Sequence, residues 1–260
     1  SDYVKKRGLK VIRLRAGLPA ANGTFGVKKE QCGPVVESWD PEDEIYSTIE
    51  FFIKVREAVG KDVGIIYDLH ERFSPDQAIR IMNRLEPYDP FFIEDPIAPD
   101  CPDSLRYVRE KTTVPIAFGE LYKSRWECLP GISNHWIDYI RCDVIRIGGI
   151  TEARKIAALA EPYDIKTAWH GPNDVSPITH AVNWHLNVSE YNFGIQEDGT
   201  ADSLIKQVVS GGPSYQNGYL VMGDAPGIGC DIDEEAAARY PFRKAYIPIC
   251  RQKDESLHTW

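Results

Sequence analysis

The chain has 260 residues, of which 43% are hydrophobic, enough to fill the core of one large α/β barrel or of two ordinary domains. The formal net charge is −9 with no long basic run, which argues against partners that need a basic surface, namely nucleic acids and anionic membranes. No apolar stretch approaches the roughly 18 residues of a membrane span, and residues 1–10 are polar and unlike a signal peptide, so we expect a cytoplasmic protein.

Seven short runs of apolar and β-branched residues predict β-strands, and each run ends in polar or charged residues. In chain order they are KVIRLR (10–15), VGIIYDLH (63–70), PFFIEDP (90–96), VPIAFGE (114–120), DYIRCDV (138–144), IKTAWHG (165–171) and YNFGIQE (191–197). Amphipathic stretches with helical spacing lie between them, with start signals such as Ser74-Pro75 and Thr151. This alternation predicts a parallel sheet closed into a β/α barrel, and no G-x-G-x-x-G turn supports an open nucleotide-binding sheet.

Six polar residues end successive predicted strands at intervals of 23 to 27 residues: Asp68, Glu94, Glu120, Asp143, His170 and Glu197. In a β/α barrel the carboxyl ends of all strands open on one face, so these side chains should meet at one mouth. Carboxylates crowded there would repel one another, and a divalent cation would offset this repulsion. Oxygen ligands without cysteine or clustered histidine favour Mg²⁺ or Mn²⁺. The alternative is that these are solvated residues at the ends of strands.

Several motifs carry a resemblance to a known family: YDLHERFSP (67–75), FFIEDPIAP (91–99), HGPNDVSP (170–177), NFGIQE (192–197) and DAPGIGCDIDEEAAARYP (224–241). In these residues the sequence closely resembles the enolase superfamily, specifically the mannonate dehydratase branch of the mandelate racemase/muconate lactonizing enzyme family, which includes starvation-sensing proteins. The resemblance implies an α/β fold, the enolase-type (β/α)7β barrel, and we expect its N-terminal α+β lid domain and first strand to be absent from these residues. It assigns residues 1–217 to the barrel and 218–260 to a C-terminal segment that packs toward the lid side.

The resemblance also implies a reaction and its residues. Asp68, Glu94 and Glu120 would bind one Mg²⁺ per subunit, and His70 is similar to the acid that protonates a departing hydroxyl. The positions that resemble substrate-binding residues are Arg13, Arg141, Asp174 and Glu197. The implied reaction is loss of water from a sugar acid of the D-mannonate or D-gluconate type, through removal of the α-proton and an enediolate stabilised by Mg²⁺. By analogy, the protein would form an even-numbered homo-oligomer.

The sequence departs from the family at the expected base. A Tyr working with an Arg is the base of mannonate dehydratases, and Arg13 matches that Arg, but the corresponding loop reads Thr24-Phe25-Gly26-Val27. The resemblance offers a second base, because Asp143 and His170 are similar to the Asp-His pair of mandelate racemase. A carboxylate on one imidazole nitrogen makes the other nitrogen a better base.

Three functions therefore remain open at the level of sequence. The first is an acid-sugar dehydratase of low or altered activity, which the Asp143/His170 pair supports. The second is a non-catalytic, metal-binding member with a regulatory or starvation-sensing role, which Phe25 supports. The third is a racemase or epimerase, which would use His70 and His170 on opposite faces of the α-carbon.

Overall fold

The computed structural model describes residues 2–15, 36–38, 40–172, 175–199, 205–242, 249–252 and 254–258. Two positions singled out in the sequence, Phe25 and Asp174, lie outside these ranges. The strands are β1 (Val11–Arg15), β2 (Val36–Ser38), β3 (Gly64–Asp68), β4 (Phe92–Glu94), β5 (Ile116–Phe118), β6 (Tyr139–Ile140), β7 (Lys166–Thr167), β8 (Val209–Gly211), β9 (Ser214–Gln216), β10 (Tyr219–Val221), β11 (Cys230–Ile232), β12 (Ile249–Arg251) and β13 (Leu257–His258). The helices are α1 (Asp2–Arg7), α2 (Pro41–Val59), α3 (Pro75–Leu85), α4 (Pro102–Arg109), α5 (Arg125–Ser133), α6 (Ile150–Ala160), α7 (Pro177–Ser189) and α8 (Glu234–Ala237).

The main sheet has six parallel strands in the order β1-β3-β4-β5-β6-β7. A helix follows each of the strands β3 to β7, which confirms the predicted alternation around a parallel sheet. The seventh predicted strand, residues 191–197, is shorter than expected and contributes one parallel bridge, between Thr167 and Phe193. Among the described residues this bridge is isolated, so the segment adds no further ladder to the sheet.

Helix α3 shows how local sequence fixes these boundaries. The Ser74 hydroxyl accepts from the backbone N–H of Gln77, whose side chain accepts from the backbone N–H of Ser74, and Pro75 begins the helix. Its apolar face, including Ile81 and Met82, is fully buried against the sheet. Helix α6 differs from the expectation, because it begins at Ile150 after Gly149 rather than after Thr151.

Side-chain alternation along the strands separates two layers of the core. Ile65 and Tyr67 belong to the large cluster between the sheet and the helices, whereas Ile66 and Phe92 belong to a small cluster on the other face of the sheet. Residues two positions apart in a strand share a face. Asp68, two residues after Ile66, therefore lies on the inner face, directly above this small apolar cluster.

The sheet does not close on itself within the described residues. A cavity of about 780 Å³ lies between β1 and the segment from Phe193 to Asp198, and apolar side chains such as Ile66 and Phe92 line it. The edge of β1 that faces this cavity has no strand partner among the described residues.

From β8 onward the described chain forms small sheets rather than a continuation of the barrel. Strand β8 pairs with β11, β9 pairs with β10, and β12 lies between β2 and β13. The β9–β10 hairpin crosses residue 217, so the division between residues 1–217 and 218–260 stays a prediction. Among the described helices, none has the length and the apolar composition that crossing a membrane requires.

Candidate functional site

Two of the predicted metal ligands end neighbouring strands in register. Asp68 is the last residue of β3 and Glu94 the last residue of β4, and the two are direct partners in the parallel ladder. Both carboxylates are fully buried, with side-chain exposures of 0%. The register and the shared face bring these two acids side by side above the inner apolar cluster.

Glu120, the third predicted ligand, reaches the site from a loop. It lies two residues beyond β5, after Gly119, whose φ of 124° is a conformation that favours glycine. The backbone N–H of Gly119 donates to Asp95 at 2.8 Å, which fixes this turn to the end of β4. The Glu120 side chain is 7% exposed, and its Oε2 is 3.4 Å from His170 Nε2.

Two guanidinium groups alternate with three carboxylates at the centre of the site. Arg13 Nη2 lies 2.7 Å from Asp68 Oδ2, and Arg13 Nε lies 2.7 Å from Glu94 Oε2. Arg141 lies 2.6 Å from Glu94 Oε1 and 2.7 Å from Glu197 Oε2. Arg141 is 2% exposed and also donates to the carbonyl oxygen of Ala168. In this structure both arginines hold carboxylates, so their substrate-binding role stays a prediction.

These contacts shift the pKa values of the acids in different directions. Burial alone would raise the pKa of Glu94, but the guanidinium groups of Arg13 and Arg141 outweigh it and lower that pKa. Glu197 behaves in the same way, and its pKa lies well below the usual range. Burial dominates at Asp68 and raises its pKa to about 6, although Arg13 opposes the shift. Among these three acids, Asp68 is the one whose pKa lies above its usual value.

The structure brings the predicted Asp143 and His170 into contact. His170 Nδ1 lies 3.1 Å from Asp143 Oδ2, and both residues are buried. Burial alone would raise the pKa of Asp143, but hydrogen bonds from His170 and from the backbone of Ile145 lower it. An ionised carboxylate on Nδ1 leaves Nε2 of His170 as the proton acceptor. This arrangement suits a general base.

His70 enters the same space from the turn after β3. Its Nε2 is 3.9 Å from Glu120 Oε2, so the two imidazoles approach one carboxylate from different strands. Burial, followed by the positive charges of Arg15 and Arg72, lowers the pKa of His70 well below its usual value. A nearby anion would oppose this shift.

Two buried acids at the site were not singled out in the sequence. Glu71 and Asp95 join Glu120 in a group whose ligand atoms all lie within 4.8 Å of one another. Burial and the neighbouring carboxylates raise the pKa of Glu71 to about 11 and that of Asp95 well above its usual range. Among the described residues, the predicted set of Asp68, Glu94 and Glu120 does not form such a group, and Glu120 alone belongs to both sets. The sequence signal for Glu71 and Asp95 was adjacency, because each directly follows a predicted site residue.

Comparisons with known proteins identify the family of this chain. A family model described as enolase C-terminal domain-like matches residues 1–236. A D-mannonate dehydratase from Sphingomonas sp. (strain SKA58) is 38% identical, across 100% of this chain and 66% of that protein. A D-galactonate dehydratase family member from Streptomyces bingchenggensis is 36% identical, across 100% of this chain and 65% of that protein.

A solved structure gives the same result. The crystal structure of an enolase from Pantoea ananatis, with bound D-gluconate and magnesium, has a TM-score of 0.88 and 35% identity, and it covers 99% of this chain and 66% of that one. The chain therefore spans slightly less than two thirds of the length of these relatives. The predicted superfamily is confirmed, and this chain belongs to the enolase C-terminal domain-like family.

Proposed function

We propose that this chain carries the metal-binding and acid–base residues of a Mg²⁺-dependent sugar-acid dehydratase, a carbon–oxygen hydro-lyase of low or altered activity on D-mannonate, D-gluconate or a related acid. The observation that carries the proposal is the meeting of the Asp143–His170 pair and His70 at one buried carboxylate, Glu120. The dehydratase names of relatives and the gluconate bound by the Pantoea ananatis enolase support the substrate class. A cytoplasmic location and an even-numbered homo-oligomer stay predictions.

The ligands we propose for a divalent cation are Asp68, Glu94 and Glu120. In this structure the Arg13 guanidinium lies 2.7 Å from both Asp68 and Glu94, so it would have to move aside for an ion that binds both carboxylates. Burial and neighbouring carboxylates raise the pKa values of Glu71 and Asp95, and a cation beside them would favour the ionised form of both acids. A bound Mg²⁺ would stabilise the negative charge that develops on the substrate carboxylate.

Two histidines of the chain would each carry out one proton transfer. His170 Nε2 takes the proton from the carbon next to the substrate carboxylate. His70 gives a proton to the β-hydroxyl, which leaves as water, and the resulting enol rearranges to a 2-keto-3-deoxy acid. An anionic substrate beside Arg13 and Arg15 would offset their charge, which favours the protonated form of His70.

The test of this reaction uses full-length protein, Mg²⁺ and a set of aldonic acids, with detection of 2-keto-3-deoxy products. We expect His170→Asn to lower turnover by about 10² to 10⁴-fold, the usual contribution of a general base, while Mn²⁺ binding is retained. The matched control is His185→Asn at an exposed histidine, which should leave turnover unchanged. If no acid gives a product and the α-proton does not exchange with solvent, the proposal fails and the regulatory alternative is favoured.

A separate titration tests the metal ligands. We expect Asp68→Asn to weaken Mn²⁺ binding at least about tenfold, whereas Asp95→Asn should change it less than about threefold. The reverse order would assign the cation to the set of Glu71, Asp95 and Glu120 instead.

Epimerisation is the second candidate, and one observation favours it. Nε2 of His70 and Nε2 of His170 lie 3.9 and 3.4 Å from the same Glu120 oxygen, so two imidazoles flank one space. A proton taken by one imidazole and returned by the other would invert the α-carbon. Formation of a 2-epimer without a keto product in the same incubations would select this function.

A further inference from the structure

The turn after β3 has an unusual backbone. His70 and Glu71 are consecutive non-glycine residues with φ of 52° and 58°, in the left-handed region that L-residues rarely adopt. Two hydrogen bonds hold the turn, from His70 N–H to Asp68 Oδ1 at 2.9 Å and from Glu71 N–H to the Asp95 carbonyl at 2.8 Å. Strained conformations of this kind persist where the surrounding structure enforces them, often at functional sites.

This backbone places the Glu71 carboxyl group against the imidazole of the preceding residue. Glu71 Oε2 lies 3.4 Å from His70 Nδ1, and the Glu71 side chain is 2% exposed. Within the described residues neither His70 Nδ1 nor Glu71 Oε1 has a hydrogen-bond partner. The Glu71 carboxyl group thus faces Nδ1, while Nε2 of the same ring faces Glu120.

The other histidine of the site has the same layout. In His170, Nδ1 faces the Asp143 carboxylate at 3.1 Å and Nε2 faces Glu120 at 3.4 Å. The group bound at one imidazole nitrogen decides the orientation of the ring and which nitrogen is available for proton transfer. The two histidines therefore each have a carboxyl group behind them and a reacting nitrogen in front.

We propose that Glu71 is a positioning residue for His70, which holds the ring through Nδ1 so that Nε2 faces the departing β-hydroxyl of the substrate. This inference rests on the proposed dehydration, because only that reaction needs a proton delivered to a leaving hydroxyl. It separates the two halves of the reaction: Glu71 acts in loss of the hydroxyl, and Asp143 acts in removal of the α-proton.

The test compares two rates in Glu71→Gln: formation of the keto product and exchange of the α-proton with solvent. Both are measured with full-length protein, Mg²⁺ and the best aldonic acid in D₂O. We expect kcat for the keto product to fall at least about tenfold with KM little changed, since a general acid typically contributes 10² to 10⁴-fold. Deuterium should still enter the α-carbon of recovered substrate, because His170 and Asp143 are untouched. The matched control is Glu50→Gln on the exposed face of α2, which should behave as the wild type.

Two further measurements distinguish positioning of the His70 ring from a purely structural role of Glu71. Imidazole ¹⁵N shifts of His70 should change in Glu71→Gln and stay the same in Glu50→Gln. Glu71→Asp, which keeps the carboxyl group but shortens the side chain, should show the same loss of product with retained exchange, and it serves if Glu71→Gln does not fold.

Three results would overturn the inference: an unchanged kcat, an equal loss of exchange and product, or a tenfold weaker Mn²⁺ affinity that makes Glu71 a metal ligand. If the wild type turns over no acid, the proposed function fails. The positioning contact is then decided by the ¹⁵N shifts alone, and unchanged His70 shifts in Glu71→Gln would reject it.

Discussion

Replacing Arg141 by Met should lower the free energy of unfolding more than replacing an exposed arginine by Met does. Arg141 is 2% exposed and lies within 2.7 Å of both Glu94 and Glu197, so its loss leaves two carboxylates without this partner. Removing one member of a buried ion pair costs about 3–5 kcal/mol. Arg13 keeps its own contacts to both carboxylates, which places the expected loss near the lower end, about 3 kcal/mol.

The assay is urea unfolding of the full-length protein at pH 7, with the denaturation midpoint and slope compared between variants. The matched control is Arg106→Met, because Arg106 is 52% exposed and pairs with Asp103 and Glu110 at 3.4 and 3.8 Å. Exposed ion pairs contribute about 0–1 kcal/mol, so this change should have little effect. Equal losses in the two variants, or a loss below about 1 kcal/mol for Arg141→Met, would refute the view that Arg141 neutralises buried charge.

Two other substitutions test the backbone turn at Gly119 and the buried charge of Glu197. Gly119→Ala should lower the free energy of unfolding by more than about 1 kcal/mol, because the φ of Gly119 is 124° and an added Cβ would lie 2.9 Å from the Tyr122 ring. Thermal melting followed by circular dichroism measures this loss. A melting temperature equal to that of the wild type would contradict the prediction. Glu197→Gln should destabilise the protein at pH 7 but progressively less on acidification. Burial alone would raise the pKa of Glu197, but the guanidinium groups of Arg141 and Arg13 lower it more strongly, so the pKa in the folded protein lies below its usual value. The stabilising contribution of the Glu197 carboxylate is therefore complete above the unfolded pKa of about 4.3, and it is lost as the pH falls through the lowered folded value. Urea midpoints at pH 7 and pH 3 measure the difference, and a gap that widens at pH 3 would reverse the sign of the argument.

Most strands of the main sheet could be predicted from the sequence, because the residue pattern of a strand lies within a few consecutive residues. The first six predicted strands are present in one parallel sheet, and their ends carry the residues chosen for chemistry. The Asp143–His170 contact was also anticipated, since residues at the ends of adjacent strands β6 and β7 are neighbours in any barrel. The seventh strand was overestimated, because a ladder along residues 191–197 depends on how the neighbouring strand runs beside it and not only on its own composition.

Side-chain directions beyond the strand ends could not be predicted in this way. The alternation of faces stops where the backbone turns left-handed, as it does at His70, Glu71 and Asp95. These turns bring Glu71 and Asp95 next to Glu120, although a continued strand pattern would separate them. The position of Arg13 between Asp68 and Glu94 was missed for a related reason, since the partner of a long side chain depends on all charges within its reach.

The backbone supports of Asp68, Glu94 and Glu120, the proposed metal ligands, differ, and this has a consequence for redesign. Asp68 and Glu94 are locked to each other by the strand register, so neither can move without disturbing a whole ladder. Glu120 stands on a glycine turn outside the sheet, and its distance from the other two can change through the loop alone. Insertions or substitutions in that loop are therefore the route by which the site could be adapted to ions of larger radius while the barrel stays intact.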